Sequence, residues 1–378
     1  MTINRLERVV VVGGGIAGLT ACDTLRERGF DGDLVVIGSE SHAAYSRPAL
    51  SKALLKLDGD LTAHELSPAT HGARELRGVS AIGLDIERRT VSLDDRDDLT
   101  YDGLVIATGS RARRLSDHPG ELTLRGLDDA HALRDRLEGR PEVVVLGGGV
   151  LGMEIASGAV AAGCRVTLIA TSEPMSRQLG AHVAGILTTS AREQGLRIVV
   201  TASASVDAEG ERAVVRTADG SMYTADVLVS AVGDVPNTEW LGASGILSGG
   251  RLLADEYGRI APGVVAAGDV TGWGPGAIRT PLWTSAIEQA RAAASALLDP
   301  EAPALRFQNY FWTEQFGHSV KAVGPLPVRG APEVLIGEPD ATPSLLRWHG
   351  ADGTRSVMAI DHRIPIPRLR RLTDASFD

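Results

Sequence analysis

Cysteine is nearly absent from the sequence, and this scarcity excludes one class of redox chemistry. The 378 residues contain only Cys22 and Cys164, so neither a Cys-x-x-Cys nor a Cys-x4-Cys pair is present. The redox-active disulfide that a disulfide reductase uses is therefore excluded. We expect both cysteines to lie in helices that follow glycine-rich turns, where a small side chain packs a helix against a sheet.

Metal-ligand patterns and long apolar runs are also missing. The nine histidines form no His-Glu-x-x-His or other ligand spacing, so we predict no metal site. No run of about 18 or more apolar residues occurs, so no transmembrane helix is expected. The first strand begins within about ten residues of the first methionine, which leaves no room for a signal peptide. Together these features predict a cytoplasmic protein.

The charge balance is acidic, and lysine is scarce. The formal net charge of −10 argues against nucleic acid or an anionic membrane as the main partner, and the basic segment Arg368–Arg371 is interpreted as solvated surface. Only 3 of the 38 basic residues are lysines, namely Lys52, Lys56 and Lys321. One of them, Lys52, ends the segment Arg47–Lys52 (Arg-Pro-x-x-Ser-Lys). An ammonium is a compact point charge, whereas a guanidinium is planar and larger. A lysine in a chain that otherwise uses arginine therefore indicates a site that does not accept a guanidinium. Pro48 is expected to begin a helix that carries Lys52 one turn along.

Glycine marks the most informative stretch of the chain. The apolar run Val9–Val12 leads into Gly13-x-Gly15-x-x-Gly18, and Leu19–Arg28 is predicted to be helical. A bound pyrophosphate requires this order of strand, glycine turn and helix. The first glycine allows a tight turn, the second lets the backbone approach the phosphates, and the third lets the helix pack on the strand. The helix N-terminus adds free N–H groups for the anion.

The same pattern recurs 134 residues later, where the strand Glu142–Leu146 leads into Gly147-x-Gly149-x-x-Gly152. A single glycine pattern is weak evidence, but here the strand and helix context is met twice. Two such units predict two bound dinucleotides and a relay of electrons between them.

The strand that follows each glycine unit predicts how the ribose is bound. After the first unit, Glu40 lies 22 residues beyond Gly18, where an acid can bind ribose hydroxyls; the alternative is a surface glutamate. After the second unit, the strand Arg165–Ile169 ends in Ala170-Thr171-Ser172 without an acid.

The missing acid bears on the choice of nicotinamide nucleotide. A carboxylate at this place repels a 2′-phosphate, so its loss predicts that NADPH is at least tolerated. Thr171 offers a hydroxyl to ribose or phosphate, and Arg177 could reach a phosphate, with solvent exposure as its alternative role. Glu173 would oppose this if its side chain turned inward.

The remaining elements are predicted from periodicity and turn residues. Gly263–Asp269 is expected to be a short strand that ends in an acid, where open α/β sheets place ligands. Asp234–Asn237 is predicted to be a turn. The predicted helices are Leu124–Leu137, Ala181–Gln194 and Trp283–Leu298. One β-meander is predicted at Val79–Leu99, and a second is predicted between the helix that ends at Gln194 and Thr224.

A region of different character begins at Pro303. Five of the 15 aromatic residues lie between Phe307 and Phe316, and the rest alternates as short strands separated by proline and glycine. We predict a small α+β domain. For Trp312, the pattern favours the core over exposure to a ligand.

Several motifs together resemble one known family. Beside the two glycine units these are Arg47-Pro48-x-x-Ser51-Lys52, Ala107-Thr108-Gly109, Pro236-Asn237, Ala267-Gly268-Asp269 and Phe311-Trp312. The chain resembles, over nearly its whole length, the FAD-dependent NAD(P)H reductases that feed ferredoxins: putidaredoxin reductase, rubredoxin reductase and the reductases of aromatic-ring dioxygenases. It is similar, less closely, to apoptosis-inducing factor and to the wider disulfide-reductase superfamily.

The resemblance implies an α/β fold of glutathione-reductase-like architecture. This fold has two Rossmann-like dinucleotide-binding domains, one for FAD and one for NAD(P), and a small α+β C-terminal domain. The implied boundaries are residues 1–112 and 235–303 for the split FAD-binding domain, 113–234 for the NAD(P)-binding domain and 304–378 for the C-terminal domain.

The resemblance also implies non-covalent FAD, NADPH or NADH as electron donor, and a set of site residues. Lys52 would lie close to N5 and O4 of the flavin, Glu154 between nicotinamide and flavin and paired with Lys52, and Trp312 at the flavin edge where electrons leave. The alternative for Glu154 is a carboxylate that the helix dipole favours. The implied cofactor-binding residues are Gly13, Gly15, Ile16, Ala17, Gly18, Glu40, Arg47, Lys52, Ala81, Ala107, Thr108, Gly109, Gly147, Gly149, Val150, Leu151, Gly152, Thr171, Arg177, Gly233, Gly268, Asp269 and Trp283.

Three positions depart from the family pattern. In Arg279-Thr-Pro281-Leu-Trp283 a proline replaces the usual glutamate, Ala170 replaces the acid usual in NADH-preferring members, and Trp312-Thr313-Glu314 replaces Trp-Ser-Asp. We expect the first and third to leave FAD binding intact. The second leaves the preference for NADH or NADPH open.

The predicted function is a flavoprotein reductase that passes electrons from NAD(P)H through FAD to a small ferredoxin-type iron–sulfur protein serving an oxygenase. One alternative is an enzyme that reduces oxygen, quinone or a small molecule directly. The other is a redox-silent FAD-binding protein, which only Ala170 and Pro281 support. The chain is expected to be a monomer or a homodimer.

Overall fold

The computed structural model describes residues 6–52, 55, 64–66, 70–209, 212–306 and 308–374; Lys56 and Phe307 lie outside them. The strands are β1 (Arg8–Val12), β2 (Asp33–Gly38), β3 (Arg74–Arg77), β4 (Ala81–Asp85), β5 (Thr90–Leu93), β6 (Leu99–Thr100), β7 (Gly103–Ile106), β8 (Ser110–Ala112), β9 (Glu121–Leu122), β10 (Glu142–Leu146), β11 (Arg165–Ala170), β12 (Arg197–Val200), β13 (Ala204–Glu209), β14 (Arg212–Thr217), β15 (Met222–Thr224), β16 (Val227–Ser230), β17 (Asp234–Pro236), β18 (Leu252–Ala254), β19 (Arg259–Ala261), β20 (Val264–Ala266), β21 (Thr271–Trp273), β22 (Tyr310–Gln315), β23 (His318–Val323), β24 (Glu333–Ile336), β25 (Ser344–His349) and β26 (Arg355–Ile360). The helices are α1 (Ile16–Glu27), α2 (Leu127–Leu137), α3 (Val150–Ala161), α4 (Ser176–Leu179), α5 (Ala181–Glu193), α6 (Trp283–Leu298) and α7 (Ile366–Arg371).

The chain forms two compact units. Unit 1 comprises Met1–Ser46, His64–Arg111 and Val235–Phe307, and unit 2 comprises Arg47–Ala63, Ala112–Asp234 and Gln308–Asp378. The division of these units into three domains stays a prediction.

Unit 1 is built on a six-stranded sheet with the order β19-β20-β7-β1-β2-β3. β1 pairs in parallel with β2 and β7 at the centre, and Val9–Val12 are all buried because both faces of the sheet are covered. On one face, Val9 and Val11 pack with α1 and α6. On the other face, Val10 and Val12 share a core with the antiparallel sheet β4-β5-β6.

Unit 2 repeats this arrangement with a five-stranded parallel sheet of order β12-β11-β10-β16-β9. The antiparallel sheet β13-β14-β15 contributes to the same core as β10, β11 and β16. The C-terminal part of the unit is an antiparallel sheet of order β22-β23-β26-β25-β24, and α7 packs on it through Leu369. The predicted α/β class with two Rossmann-like units is confirmed.

Three local predictions are wrong. Asp234–Pro236 forms β17 instead of a turn, because the residue before a proline favours extended backbone. Arg47–Ala49 forms one 3-10 turn, closed by the N–H of Leu50 on the carbonyl of Arg47 at 3.0 Å, so Pro48 does not begin an α-helix there. Cys164 lies beyond α3, because Gly163 has a left-handed φ of +87° that ends the helix.

Both thiols are nevertheless buried, as expected of side chains that pack a helix against a sheet. Cys22 lies in α1 within the core of unit 1, and the Sγ of Cys164 contacts the carbonyl of Leu137 at 3.9 Å. Burial raises the pKa of each thiol above its usual range, which suppresses the reactive thiolate. None of the helices in the described ranges is long and apolar enough to cross a bilayer.

We expect neither thiol to react with an aromatic disulfide reagent in the native protein, because burial blocks access and disfavours the thiolate. Both should react after unfolding in guanidinium chloride. The measurement is the absorbance of the aromatic thiol that the reagent releases at pH 8, with the unfolded protein as the control. Fast stoichiometric reaction of the native protein would contradict the burial of Cys22 and Cys164.

Candidate functional site

The first glycine of each unit occupies a backbone position that only glycine fits. Gly13 and Gly147 have φ values of +125° and +109°, in the region that L-residues with a side chain rarely adopt. A Cβ on Gly13 would lie 2.1 Å from the carbonyl oxygen of Ala107, and one on Gly147 would lie 2.2 Å from that of Ala231. Each turn is therefore pressed against the end of a neighbouring parallel strand.

The third glycine of each unit lets the helix pack on the turn. A Cβ on Gly18 would lie 1.9 Å from the carbonyl oxygen of Gly13, and one on Gly152 would lie 1.9 Å from that of Gly147. The two units thus have the same internal geometry. The starts of α1 and α3 are fixed close to the ends of β1 and β10.

The second glycine of each unit faces open space. Gly15 and Gly149 precede α1 and α3 with nearly identical backbone angles, φ −79° for both and ψ −177° and −175°. A Cβ on Gly15 would meet no described atom within 4 Å, and one on Gly149 would meet only Gln178 Nε2, at 3.5 Å. The first-turn N–H groups have no intrahelical partner, so both cradles fit a pyrophosphate. Ile16, Ala17, Val150 and Leu151 form the first turns of these helices.

Glu40 follows β2 at the edge of the first cradle. Its half-buried carboxylate accepts a hydrogen bond from Tyr45 Oη at 2.5 Å. Tyr45 was not among the predicted site residues, and only the spacing of five residues links it to Glu40 in the sequence. Because one carboxylate oxygen is oriented in this way, the group fits the ribose hydroxyls of an adenosine bound at the cradle.

The predicted segment Ala107–Gly109 is held by Asn237. Thr108 Oγ1 donates to the Asn237 carbonyl at 2.8 Å, Asn237 Nδ2 donates to the Thr108 carbonyl at 2.9 Å, and Asn237 N donates to the Gly109 carbonyl at 3.0 Å. The Pro-Asn motif therefore positions the strand-end turn after β7. The contact between Asn237 and Thr108 was not predicted from the sequence, although both motifs were.

Gly268 and Asp269 follow β20 in the same unit. The N–H of Gly268 donates to Gln289 Oε1 at 2.7 Å, and Gln289 is fully buried on α6. Ser110 Oγ contacts Asp269 Oδ2 at 3.5 Å, so this acid lies beside the segment after β7. Ala17 lies within 3.1 Å of a Cβ placed on Gly268, so α1 starts against this strand end.

Five predicted residues lie apart from these turns in the chain. Trp283 is the first residue of α6, Ala81 the first residue of β4, and Gly233 follows β16 with φ +104°. Thr171 and Arg177 are exposed after β11.

A buried carboxylate cluster lies in unit 2. Glu154, on α3, is 3% exposed. Its Oε2 accepts from Lys52 Nζ at 2.9 Å and also from Ser51 Oγ, and its Oε1 accepts from Thr313 Oγ1 at 2.6 Å. Lys52 Nζ lies 5.8 Å from the centre of the Trp312 ring. The structure thus brings together all three side chains predicted to be catalytic, Lys52, Glu154 and Trp312.

Every polar atom of the Glu154 carboxylate is satisfied by these donors, as a buried charge requires. Thr313 was not among the predicted site residues; its hydroxyl in turn accepts from Gln315 Nε2 at 3.1 Å. Both side chains are buried on the same face of β22, and two polar residues at a spacing of two were the available signal. Arg47, also in unit 2, donates from Nη1 to the carbonyl of Arg125 at 2.9 Å.

Residues 7–296 match the family model described as pyridine nucleotide-disulphide oxidoreductase. The chain belongs to this family. It is an oxidoreductase whose cofactors are FAD and a nicotinamide nucleotide. This member has no disulfide, because its two cysteines are free and buried.

Individual relatives agree with the family match. The benzene 1,2-dioxygenase system ferredoxin–NAD(+) reductase subunit of Pseudomonas putida is 32% identical across 97% of this chain and 92% of the relative. The biphenyl dioxygenase system ferredoxin–NAD(+) reductase component of Paraburkholderia xenovorans is 33% identical across 88% and 84%. The reductase in the crystal structure of the covalent putidaredoxin reductase–putidaredoxin complex matches with a TM-score of 0.86 and 25% identity, across 98% of this chain and 96% of that chain.

The third glycine of each unit, Gly18 or Gly152, allows the two cradles of this oxidoreductase to be tested in the same way. Because the added methyl group would overlap a carbonyl oxygen, Gly18→Ala and Gly152→Ala should each destabilise their cradle by at least ~1–3 kcal/mol. We expect Gly18→Ala to lose FAD, and Gly152→Ala to retain FAD but lose nicotinamide binding. The measurements are flavin absorbance per protein and nucleotide binding by calorimetry.

Gly185→Ala is the control for this pair, because a Cβ at this position in α5 meets no described atom within 4 Å. Alanine at a helix interior is favourable by ~1 kcal/mol, so both cofactors should still bind. Full FAD content in purified Gly18→Ala would show that the first cradle does not hold FAD.

Proposed function

We propose that this chain passes electrons from NADPH or NADH through FAD to a small ferredoxin-type iron–sulfur protein that serves an oxygenase. The observation that carries the proposal is the presence of two dinucleotide cradles without a redox disulfide. A dithiol acceptor within this chain is therefore excluded, and electrons must leave the cofactor for an external acceptor. The names of the relatives, which are ferredoxin reductases of dioxygenase systems, support an iron–sulfur protein as that acceptor.

The proposed assignment gives each cradle one cofactor. The first-turn N–H groups after Gly15 bind the FAD pyrophosphate, and Glu40 accepts from its adenosine ribose. The corresponding groups after Gly149 bind the nicotinamide nucleotide. In the proposed three-domain division, residues 1–112 and 235–303 form the split FAD-binding domain, residues 113–234 the NAD(P)-binding domain and residues 304–378 the C-terminal domain. Unit 1 contains most of the first domain, and unit 2 contains the second and, from Gln308 onwards, the third.

Lys52, Glu154 and Trp312 are proposed to form the reaction site. FAD, when bound, supplies the chemistry that accepts two electrons and releases them singly. The Lys52 ammonium is proposed to stabilise the negative charge that develops on reduction. Glu154 orients the ammonium and is itself oriented by Ser51 and Thr313. Trp312 covers the ammonium with its ring. The reaction is proposed to take place in the cytoplasm.

The function is tested by cytochrome c reduction with the purified holoenzyme. We expect NADPH or NADH to bleach the flavin absorbance under anaerobic conditions, and cytochrome c reduction to rise several-fold when an oxygenase-type ferredoxin is added. Equal rates with and without ferredoxin, together with rapid oxygen consumption, would indicate direct reduction of oxygen or a small molecule. Failure of both nucleotides to bleach the flavin would indicate a redox-silent protein.

Lys52→Met and Glu154→Gln should have non-additive effects on the rate of flavin reduction. Each single substitution leaves the other group without its partner, and breaking a buried pair costs ~3–5 kcal/mol. We expect both single variants to bind FAD and to be reduced slowly, and the double variant to differ from the sum by ~0.5–3 kcal/mol in activation free energy. Stopped-flow reduction measures the rate, and chemical unfolding measures the stability.

The matched control is the surface pair Arg216–Asp207, at 3.2 Å with both side chains nearly half exposed. Its double-mutant cycle should give a coupling free energy of only ~0.2–1 kcal/mol in stability, and the rate of flavin reduction should not change. Strictly additive rate losses for Lys52 and Glu154 would show that the two residues act independently.

A further inference from the structure

The loop after β11 lies against the second glycine cradle. The N–H of Met175 donates to the carbonyl of Gly148 at 2.8 Å. A Cβ on Gly148 would lie 2.9 Å from the Ala170 methyl carbon and 3.1 Å from Pro174 Cα. The adenosine ribose of a nucleotide bound at this cradle therefore faces residues 170–177, as in other dinucleotide sites of this topology.

The two units can be compared residue by residue through their strand registers. β1 pairs with β2 so that Val12 is opposite Ile37, and β10 pairs with β11 so that Leu146 is opposite Ile169. Gly38, Ser39 and Glu40 therefore correspond to Ala170, Thr171 and Ser172. The place that corresponds to Glu40 is therefore Ser172, two residues beyond Ala170, where the family resemblance puts the acid. Neither residue is acidic, so the group that would repel a 2′-phosphate is missing at both positions.

The nearest acid is engaged elsewhere. Glu173 is the only acidic residue between positions 170 and 180. Its Oε1 accepts from Arg192 Nη2 of α5 at 2.8 Å, so its charge is paired with a guanidinium. The predicted opposing role of Glu173 required its side chain to turn inward, and in the structure the carboxylate pairs with Arg192 of α5 instead.

An exposed cation follows the end of β11 in the chain. Arg177 is exposed on α4, and its neighbour Gln178 is the residue whose Nε2 lies beside Gly149. Thr171 and Ser172 add two hydroxyl donors at the end of β11. The segment 171–177 therefore carries a guanidinium and these two hydroxyl groups, which together form a donor set that binds phosphate.

We infer that the nucleotide site of unit 2 selects a 2′-phosphate and that Arg177 binds it, so that NADPH is preferred over NADH. The inference rests on the proposed function, because it concerns which donor that function uses. It differs from the relatives above, whose names specify NAD(+).

The test compares adenosine 2′,5′-bisphosphate with 5′-AMP, which differ only in the 2′-phosphate. Calorimetry on the full-length FAD-loaded protein at low ionic strength should give an affinity about tenfold higher for the bisphosphate. Added salt should reduce this difference, because charges near the surface are screened. Arg177→Ala should remove the difference, and Ser172→Glu should reverse it.

Arg165→Ala is the matched control, because Arg165 lies at the opposite end of β11 and pairs with Glu142; it should leave both affinities unchanged. Equal affinities, or tighter binding of 5′-AMP, would overturn the inference. A difference that survives in Arg177→Ala would overturn the assignment of Arg177. In each case bleaching of the flavin by NADH would leave the proposed function standing, whereas failure with both NADH and NADPH would overturn the function itself.

Discussion

The structure depends above all on the close approach of backbone at the two glycine turns. At Gly13 a side chain would overlap Ala107, the first residue after β7, and at Gly18 it would overlap the turn itself. The turn therefore fixes the start of α1 and also the neighbour of β1 in the sheet. Unit 2 meets the same constraint at Gly147 and Gly152 with nearly the same distances. A cradle for pyrophosphate results in both units, because the remaining glycine faces open space.

The second constraint is the buried charge of Glu154. A carboxylate 3% exposed needs hydrogen-bond donors, and these come from Ser51 and Lys52 on one segment and from Thr313 on another. This requirement gives a physical reason why Ser51 and Lys52 belong to unit 2, although they precede most of unit 1 in the chain. The same contacts join the C-terminal sheet to α3 within that unit.

The sequence predicted what depends on local pattern. The run Val9–Val12 with its glycines specified strand, turn and helix, and Trp283–Leu298 was predicted with the observed bounds of α6. What could not be predicted depends on partners distant in the chain. Thr313 and Glu154 are 159 residues apart, and Gln289 reaches Gly268 across 21 residues. Periodicity predicts burial but not which polar groups contact one another. The pairing of Lys52 with Glu154 was therefore predicted from the family resemblance alone. The roles of Thr313 and Gln289 were predicted neither from periodicity nor from the resemblance.

The two cradles also separate the binding of a dinucleotide from the choice between dinucleotides. Equivalent glycines have the same role and nearly the same distances to neighbouring atoms in both units, so the geometry that fits a pyrophosphate is common to both. The residues just beyond the next strand differ: Glu40 is oriented by Tyr45 in unit 1, whereas Ser172 occupies its place in unit 2 and Glu173 pairs with Arg192. Because these side chains do not hold the turn together, they can change without loss of the cradle. Selectivity for the ribose is therefore independent of the glycine pattern, and a glycine pattern alone cannot predict it.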